Sequence, residues 1–139
     1  RPFYGEPGAN VLLCAPSSGD APNVTTTTIR GAWRDDFSGT SASTPMVSGV
    51  VALMLSANPG LSWRDVRLIL AQTARRNDPT DPGWIPSVDG LAHNHKYGFG
   101  VVDAAAAVAR AASWTSVGGS DRLKTCEMPA RVPSIAIRG

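Results

Sequence analysis

One serine, Ser41, stands where a hydroxyl group could act as a nucleophile. It follows Gly39 by two residues and precedes Pro45 and a long apolar stretch. Glycine permits a tight turn and proline suits the first turn of a helix, so the pattern predicts a helix that begins near Ser41. Unpaired backbone N–H groups at a helix start favour negative charge. A serine alkoxide attacking a carbonyl here would have part of its oxyanion stabilisation beside it.

A simpler role for the hydroxyl of Ser41 or Thr44 is to cap the helix, and spacing alone favours that role. The surrounding residues favour the nucleophile instead. Residues 39–45 read Gly-Thr-Ser-Ala-Ser-Thr-Pro. This motif resembles the nucleophile motif of subtilisin-like serine proteases, in which the first serine after Gly-Thr attacks the scissile bond. The resemblance selects Ser41 and not Ser43.

The resemblance extends over roughly residues 5–127, which is most of the chain. Three threonines at 26–28 precede the motif, and the segments 58–66 (NPGLSWRDV) and 95–104 (HKYGFGVVDA) follow it. The pairing of these two later segments is similar to the kexin/furin branch in particular. Together the matching segments correspond only to the C-terminal part of the family's catalytic domain.

The resemblance implies a fold class, an activity and three site residues. The fold would be α/β, a C-terminal fragment of a three-layer arrangement with a mostly parallel sheet. The activity would be that of a serine-type endopeptidase, with Ser41 as nucleophile and Gly39 and Thr40 bordering the primary specificity pocket. Residues 1–115 would belong to the catalytic domain. Residues 116–139 would form a linker and the possible start of a P domain, the β-sandwich-like domain that follows in the kexin branch.

The groups that should activate Ser41 are not recognisable in the chain. In the subtilisin arrangement the aspartate and the histidine precede the serine, whereas His93 and His95 both follow it. We assign these histidines a structural role or none. The upstream acids and Asn10 match no catalytic motif of the family, and the acids fit polar loops and turns: Asp20, Asp35 and Asp36. We therefore expect the isolated chain to hydrolyse no peptide and to derive from a longer protease.

The sequence indicates no metal site and no cofactor within this chain. The His-Asn-His stretch at 93–95 offers two ligands without a nearby cysteine or carboxylate. No loop has a calcium-ligand pattern such as that of the EF-hand. The resemblance nevertheless allows structural calcium in the full-length protein.

The expected partners are a polypeptide substrate, the missing N-terminal part of the catalytic domain and, beyond the chain, a P domain. We expect no nucleic-acid binding, because the arginines lack aromatic platforms and fit a solvated helix face: Arg64, Arg67, Arg75 and Arg76. We also expect no membrane span, because polar and small residues interrupt the most apolar segment: Ser48, Gly49, Ser56 and Asn58.

Composition indicates one globular core. The 139 residues are 42% hydrophobic and 17% charged with a net charge of +2, which excludes disorder over the main body. The chain starts with Arg1 and shows no leader pattern, as expected of a segment cut from a longer protein. Cys14 fits a small buried hydrophobic residue. Cys126 resembles the kexin-branch cysteine whose partner lies in the P domain, which favours an extracellular or periplasmic location.

Local patterns predict the elements. Residues 11–14 and 23–29 should be strands. A helix from Ser41 to about Ala57 is apolar nearly all round and should run through the interior. Ser62 and Asp65 form a capping-box-like start of a second helix. The remaining predictions are a buried stripe of Val66, Ile69 and Leu70, a loop over 75–94, a tight turn over 97–100 and a helix from its cap Asp103 to about Ala112.

Two alternatives remain open. The chain could belong to a non-catalytic scaffold or pseudoenzyme in which the serine motif only packs a helix start; its full-length parent would then also lack the His and Asp segments. An α/β-hydrolase is disfavoured, because its elbow reads Gly-x-Ser-x-Gly and Ser43 stands where the second glycine belongs. In either case we expect an isolated fragment to be marginally stable, since a helix apolar on all sides needs neighbours.

Overall fold

The computed structural model describes residues 4–18 and 23–118. Asp20, Cys126 and most of the predicted linker therefore lie outside the described residues. The helices are α1 (Thr40–Ala57), α2 (Trp63–Thr73) and α3 (Ala104–Ala112), and a short 3-10 helix spans Ile29–Gly31. The strands are β1 (Val24–Thr27), β2 (Trp33–Phe37), β3 (Ile85–Pro86) and β4 (Ala92–His93).

The three helices form the centre of the structure, with α1 and α2 both packed against α3. Alanines on α3 allow the close approach, since Ala107 and Ala111 are fully buried. The buried apolar side chains of the shared core come from all three helices and the turn before α2: Val50, Met54, Leu61, Ile69, Leu70, Ala107 and Ala111.

The predicted helix starts are confirmed. At α2, Ser62 Oγ accepts a hydrogen bond from the Asp65 N–H and the Asp65 carboxylate accepts one from the Ser62 N–H, which is a complete capping box. At α3, Asp103 Oδ1 accepts from the Ala106 N–H at 2.9 Å. Of the predicted stripe on α2, Ile69 and Leu70 are buried and Val66 is half-buried.

The bounds of α1 are confirmed, but the helix is not enclosed. Only Ala42, Val50 and Met54 are buried, while Leu53 and Leu55 are 57% and 39% exposed. By length and composition, α1 is also the one helix in the described residues that could cross a membrane, a test that core helices of soluble proteins pass as well. The expectation that the chain spans no membrane stays a prediction.

The α/β class is confirmed. Residues 12–14 pair in parallel with residues 99–102: the Phe99 N–H donates to Leu12 O, the Cys14 N–H to Gly100 O, and the Val102 N–H to Cys14 O. This short pairing is the parallel part of the described residues. Their two-stranded sheets, β1 with β2 and β3 with β4, are antiparallel.

Two loop predictions are wrong in part. Asp35 and Asp36 lie within β2, where backbone pairing with β1 overrides their turn preference. The segment 75–94 is not all loop, because it contains β3 and β4 and because Arg75 forms a bridge with Val101.

The strand predicted at 23–29 is confirmed as β1. Cys14, expected to be buried, is partly exposed.

The tight turn over 97–100 is confirmed, and it requires glycine. Gly98 has φ 61°, and a Cβ there would lie 2.3 Å from the Leu12 carbonyl oxygen. No side chain fits between backbones at that distance, and the left-handed conformation adds strain for other residues. The turn thus lets residues 98–102 approach the 12–14 segment closely enough to pair with it.

Candidate active site

Ser41 is the second residue of α1 and is exposed. Gly39, with φ 83° and ψ 177°, is the N-cap residue, and no side chain caps the helix start. Thr44 Oγ1 donates back to Thr40 O at 2.8 Å, which is a bond within the helix. Neither Ser41 nor Thr44 is therefore the cap that spacing alone favoured. The Ser41 hydroxyl has no hydrogen-bond partner among the residues that the structure describes.

The backbone beside Ser41 suits a developing negative charge. As the second residue of a helix, Ser41 has an N–H group with no partner one turn earlier in the same helix. Within residues 4–18 and 23–118, nothing accepts a hydrogen bond from this N–H. The next N–H, of Ala42, donates to Gly39 O at 3.0 Å. A hydroxyl and an unpaired N–H of one residue thus lie together at the positive end of α1.

Serine hydroxyl groups connect the turn at the start of α1, residues 39–43, to the segment 15–18. Ser43 Oγ lies 3.1 Å from Ala15 O and 3.0 Å from Pro16 O, and it donates to this pair of carbonyls. Ser17 Oγ donates to Gly39 O at 2.8 Å. The sequence alone did not predict these contacts. The residue types that favour turns gave no indication of which distant carbonyl they would reach.

The Tyr4 hydroxyl extends this attachment. It lies 2.8 Å from Ser17 Oγ and 2.5 Å from Ser18 Oγ. A cleft of about 760 Å³ opens beside these groups, and its walls include Thr40, Ser43 and Tyr97. Ser41 is not among the lining residues of this cleft. Thr40 therefore borders a cavity, while Gly39 shapes the turn that leads into α1.

The two histidines have contacts of a structural kind. His93 Nε2 lies 2.9 Å from Val11 O, and its ring packs edge-on against Phe99. His95 is exposed and meets the His93 ring at 5.8 Å between centroids. Across the described part of the chain, no three His, Cys, Asp or Glu side chains gather as a metal site would require.

A second polar centre, which sequence reasoning missed except as a helix cap, surrounds Asp65. This carboxylate is fully buried. Its Oδ2 accepts from the Ser62 N–H, Ser62 Oγ and Ser116 Oγ at 2.7, 2.7 and 2.6 Å. Its Oδ1 accepts from Trp114 Nε1 and the Val117 N–H, both at 2.9 Å. Burial opposes the charge, but the bonds from Ser116, Ser62 and Val117 outweigh it and hold the pKa of Asp65 below its ordinary value.

A third carboxylate orders the loop before the 97–100 turn. Asp81 accepts from Lys96 Nζ at 2.6 Å, Asn94 Nδ2 at 2.9 Å and the Gly83 N–H at 2.8 Å. The bond from Lys96, followed by those from Asn94 and Gly83, lowers the pKa of Asp81 to about 2. These contacts stabilise the loop, and none involves Ser41.

The motif around Ser41 lies at an exposed helix start. Comparison with known protein families gives the same assignment as the motif. Residues 5–100 match the sequence model of the subtilase family. The chain belongs to this family. Subtilases are serine endopeptidases of the subtilisin type, so the family expected from the sequence is confirmed.

The curated relatives that the chain matches are proteases of the kexin/furin branch. The chain is 40% identical over 119 residues to rat "Proprotein convertase subtilisin/kexin type 5", covering 84% of the chain and 7% of that protein. It is 38% identical over 119 residues to Furin-1 of Xenopus laevis, covering 84% and 15%. A shorter match of 83 residues, 47% identical, is to a PC3-like endoprotease of Hydra vulgaris and covers 60% of the chain and 12% of that protein. The chain therefore spans a small fraction of the relatives it matches.

A solved structure supports the subtilisin-like fold. The serine protease of Aeromonas sobria superposes with a TM-score of 0.71 at 25% identity, covering 81% of this chain and 27% of that one. The same protease, solved in complex with its chaperone, gives a TM-score of 0.72.

Proposed function

We propose that the chain is the C-terminal part of the catalytic domain of a subtilisin-type serine endopeptidase, with Ser41 as its nucleophile. The observation that carries the proposal is the exposed Ser41 hydroxyl, which has no hydrogen-bond partner among the described residues and lies beside its own unpaired N–H at the start of α1. In this role Ser41 Oγ attacks the carbonyl carbon of a peptide bond. Its N–H then donates to the oxygen that becomes negative.

The proton of Ser41 must leave for a base, and that base belongs to another part of the protein. His93 is engaged with Val11 O and follows Ser41 in the chain, which is the opposite of the subtilisin order. We therefore assign the base and its orienting aspartate to segments outside this chain. The isolated chain then lacks nucleophile activation and hydrolyses no peptide.

The exposed apolar residues of α1 support the same division. Leu53 and Leu55 are two residues apart and project from different sides of a helix whose composition suits an interior position, so the helix lacks neighbours on more than one side. We propose that the N-terminal part of the catalytic domain supplies these neighbours. This partner would enclose α1 and bring the missing base to Ser41 in one association.

The remaining roles follow from the family and stay proposals. The substrate is a polypeptide, and Gly39 and Thr40 border the pocket for the residue before the cleaved bond. Structural calcium, where the full-length protein holds it, is bound mainly by other segments. Residues 116–139 form a linker and the start of a P domain, and the protein works outside the cytoplasm, where a disulfide from Cys126 could persist.

A fluorophosphonate probe tests the nucleophile directly, because it reacts covalently with activated serines. The longer protein that contains this chain should be labelled, and Ser41→Ala should abolish the labelling. Ser48→Ala is the matched control: Ser48 lies on the same helix and its hydroxyl donates to Thr44 O, so its loss should leave labelling intact.

The outcome separates the endopeptidase from the pseudoenzyme. Labelling that depends on Ser41 supports the endopeptidase. A folded and fully processed longer protein that resists the probe contradicts the proposal and favours the non-catalytic scaffold.

A further inference from the structure

The turn that leads into α1 at residues 39–41, called here the nucleophile turn, contains a carbonyl group that is held from two sides, that of Gly39. Gly39 adopts φ 83°, a left-handed conformation that sets the direction in which the chain enters α1. Its carbonyl oxygen accepts two hydrogen bonds, from the Ala42 N–H at 3.0 Å and from Ser17 Oγ at 2.8 Å. Both lone pairs are then occupied, so the peptide plane between Gly39 and Thr40 is fixed from two sides.

The number of hydroxyl protons determines which residue donates in the contacts that lead from Tyr4 through Ser17 to Gly39. Ser17 has one hydroxyl proton, and a carbonyl can only accept, so that proton goes to Gly39 O. In the 2.8 Å contact with Ser17, Tyr4 must therefore donate. Ser18 Oγ lies 2.5 Å from the same Tyr4 oxygen. The bonds run from Tyr4 through Ser17 to Gly39, and hydrogen bonds in such a chain polarise each other.

We propose that Ser17 is a positioning residue for the nucleophile, held in its own orientation by Tyr4. This inference rests on the proposed function, because it concerns the placement of Ser41. Ser17 fixes the Gly39–Thr40 peptide, and Ser41 follows that peptide directly. Ser17 touches neither Ser41 nor any reacting atom, so its effect passes through the backbone of the turn.

The fold does not depend on this one contact. The Ser43 hydroxyl attaches the same turn to Ala15 and Pro16 independently. Removing the Ser17 hydroxyl should therefore leave the helix start in place while allowing the Gly39 carbonyl to rotate. Small displacements of a reacting group lower the rate steeply, by up to about 100-fold for about 1 Å.

The test uses the longer protein with Ser17→Ala, Ser17→Thr and Tyr4→Phe, and Ser113→Ala as the matched control. Ser113 is exposed at the end of α3, where its hydroxyl donates to Arg110 O. The measurements are the rate constant of fluorophosphonate labelling, kcat and KM for a peptide substrate, and the melting temperature. We expect Ser17→Ala to lower the labelling rate and kcat by about 10-fold with KM changed less than about 2-fold.

The variants distinguish positioning from packing. Ser17→Thr keeps the hydroxyl and should restore most of the rate, while Tyr4→Phe should give a smaller loss of about 3-fold, because Ser17 still donates to Gly39. The inference is overturned if Ser17→Ala is labelled at the wild-type rate, if Ser17→Thr is as slow as Ser17→Ala, or if the loss merely follows a lower melting temperature.

The same data separate this inference from the proposed function. A wild-type protein that resists the probe contradicts the endopeptidase, and the positioning role fails with it. A wild-type protein that is labelled, with Ser17→Ala labelled equally fast, contradicts only the positioning role.

Discussion

The two ends of α1 are built in opposite ways. At its N-terminal end, Ser41 keeps a hydroxyl and an N–H without partners in the described residues, and neutral hydroxyl–carbonyl bonds fasten the turn. At its C-terminal end, Asn58 Nδ2 donates to Ala111 O and Trp114 O, and the Trp114 side chain in turn donates to the buried Asp65. The ends lie about 27 Å apart. One end leaves groups available for chemistry, while the other pairs the polar groups that it buries.

Under the proposed function, the difference reflects what each end must do. A serine nucleophile needs a hydroxyl whose hydrogen-bonding capacity is left for its base and its substrate, and such a group is tolerated only where it stays exposed. A junction of three helices needs rigidity, and a buried carboxylate with five donors supplies it. The charge-assisted bonds around Asp65 should therefore dominate the stability of this part of the domain.

Asp65→Ala should produce the largest loss of stability. It removes the carboxylate half of the capping box at α2 and leaves several buried donors without an acceptor, at about 1–3 kcal/mol each in the worst case. We expect a total loss of about 3 kcal/mol or more, measured by chemical denaturation of the longer protein.

Asp103→Ala is the matched control for that change. Asp103 also caps a helix, but it is less buried and its other contact is an exposed ion pair with Arg75. Its loss should cost about 1 kcal/mol. Equal losses for the two variants would show that Asp65 acts as an ordinary cap and that the two ends of α1 differ less than their hydrogen bonds indicate.

Gly98→Ala should damage the nucleophile end next. A Cβ at Gly98 would overlap the Leu12 carbonyl, which belongs to the segment that leads into Ala15, Pro16 and Ser17. We expect a loss of about 2–3 kcal/mol, together with slower fluorophosphonate labelling than in an equally destabilised Asp65 variant. The measurements are chemical denaturation and labelling rate on the same samples.

Gly90→Ala controls for backbone strain alone. Gly90 has φ 83°, and no atom lies within 4 Å of the position that a Cβ would take there. Only the left-handed conformation therefore opposes alanine at this position, at about 1 kcal/mol. If Gly98→Ala costs no more than Gly90→Ala, the close pairing of residues 12–14 with 99–102 does not support the nucleophile turn.

Sequence reasoning located features that depend on neighbouring residues. The capping box at Ser62 and Asp65, the cap at Asp103 and the tight turn over 97–100 all follow from local chemistry and are confirmed. The position of Ser41 at a helix start also followed from its flanking glycine and proline. Each of these depends on residues within a few positions of one another, where residue type restricts the backbone strongly.

Features that depend on distant residues escaped prediction. Asp65 meets Trp114, Ser116 and Val117 about 50 positions later, and no local pattern indicates that pairing. Asp35 and Asp36 were predicted in polar loops, because the strand conformation of β2 comes from pairing with β1 and not from alternating apolar residues. The exposure of α1 was also not predicted. An apolar composition indicates that a helix packs against neighbours, but it does not indicate whether those neighbours belong to the same chain.

The smallest expected effect is a pH dependence that separates the two ends of α1. The pKa of Asp65 is lower in the folded protein than in the unfolded chain, so its contribution is complete above about pH 5 and is lost progressively as the pH falls from there toward the lowered pKa of the folded state. Asp81, with its pKa lowered to about 2, adds a loss over the same window. The hydroxyl bonds at the nucleophile turn do not titrate there. Denaturation midpoints should be unchanged from about pH 7 to about pH 5 and then decline, less steeply in Asp65→Asn than in wild type. If the midpoints of Asp65→Asn and of wild type decline equally with falling pH, the charge of Asp65 does not stabilise the junction of the three helices.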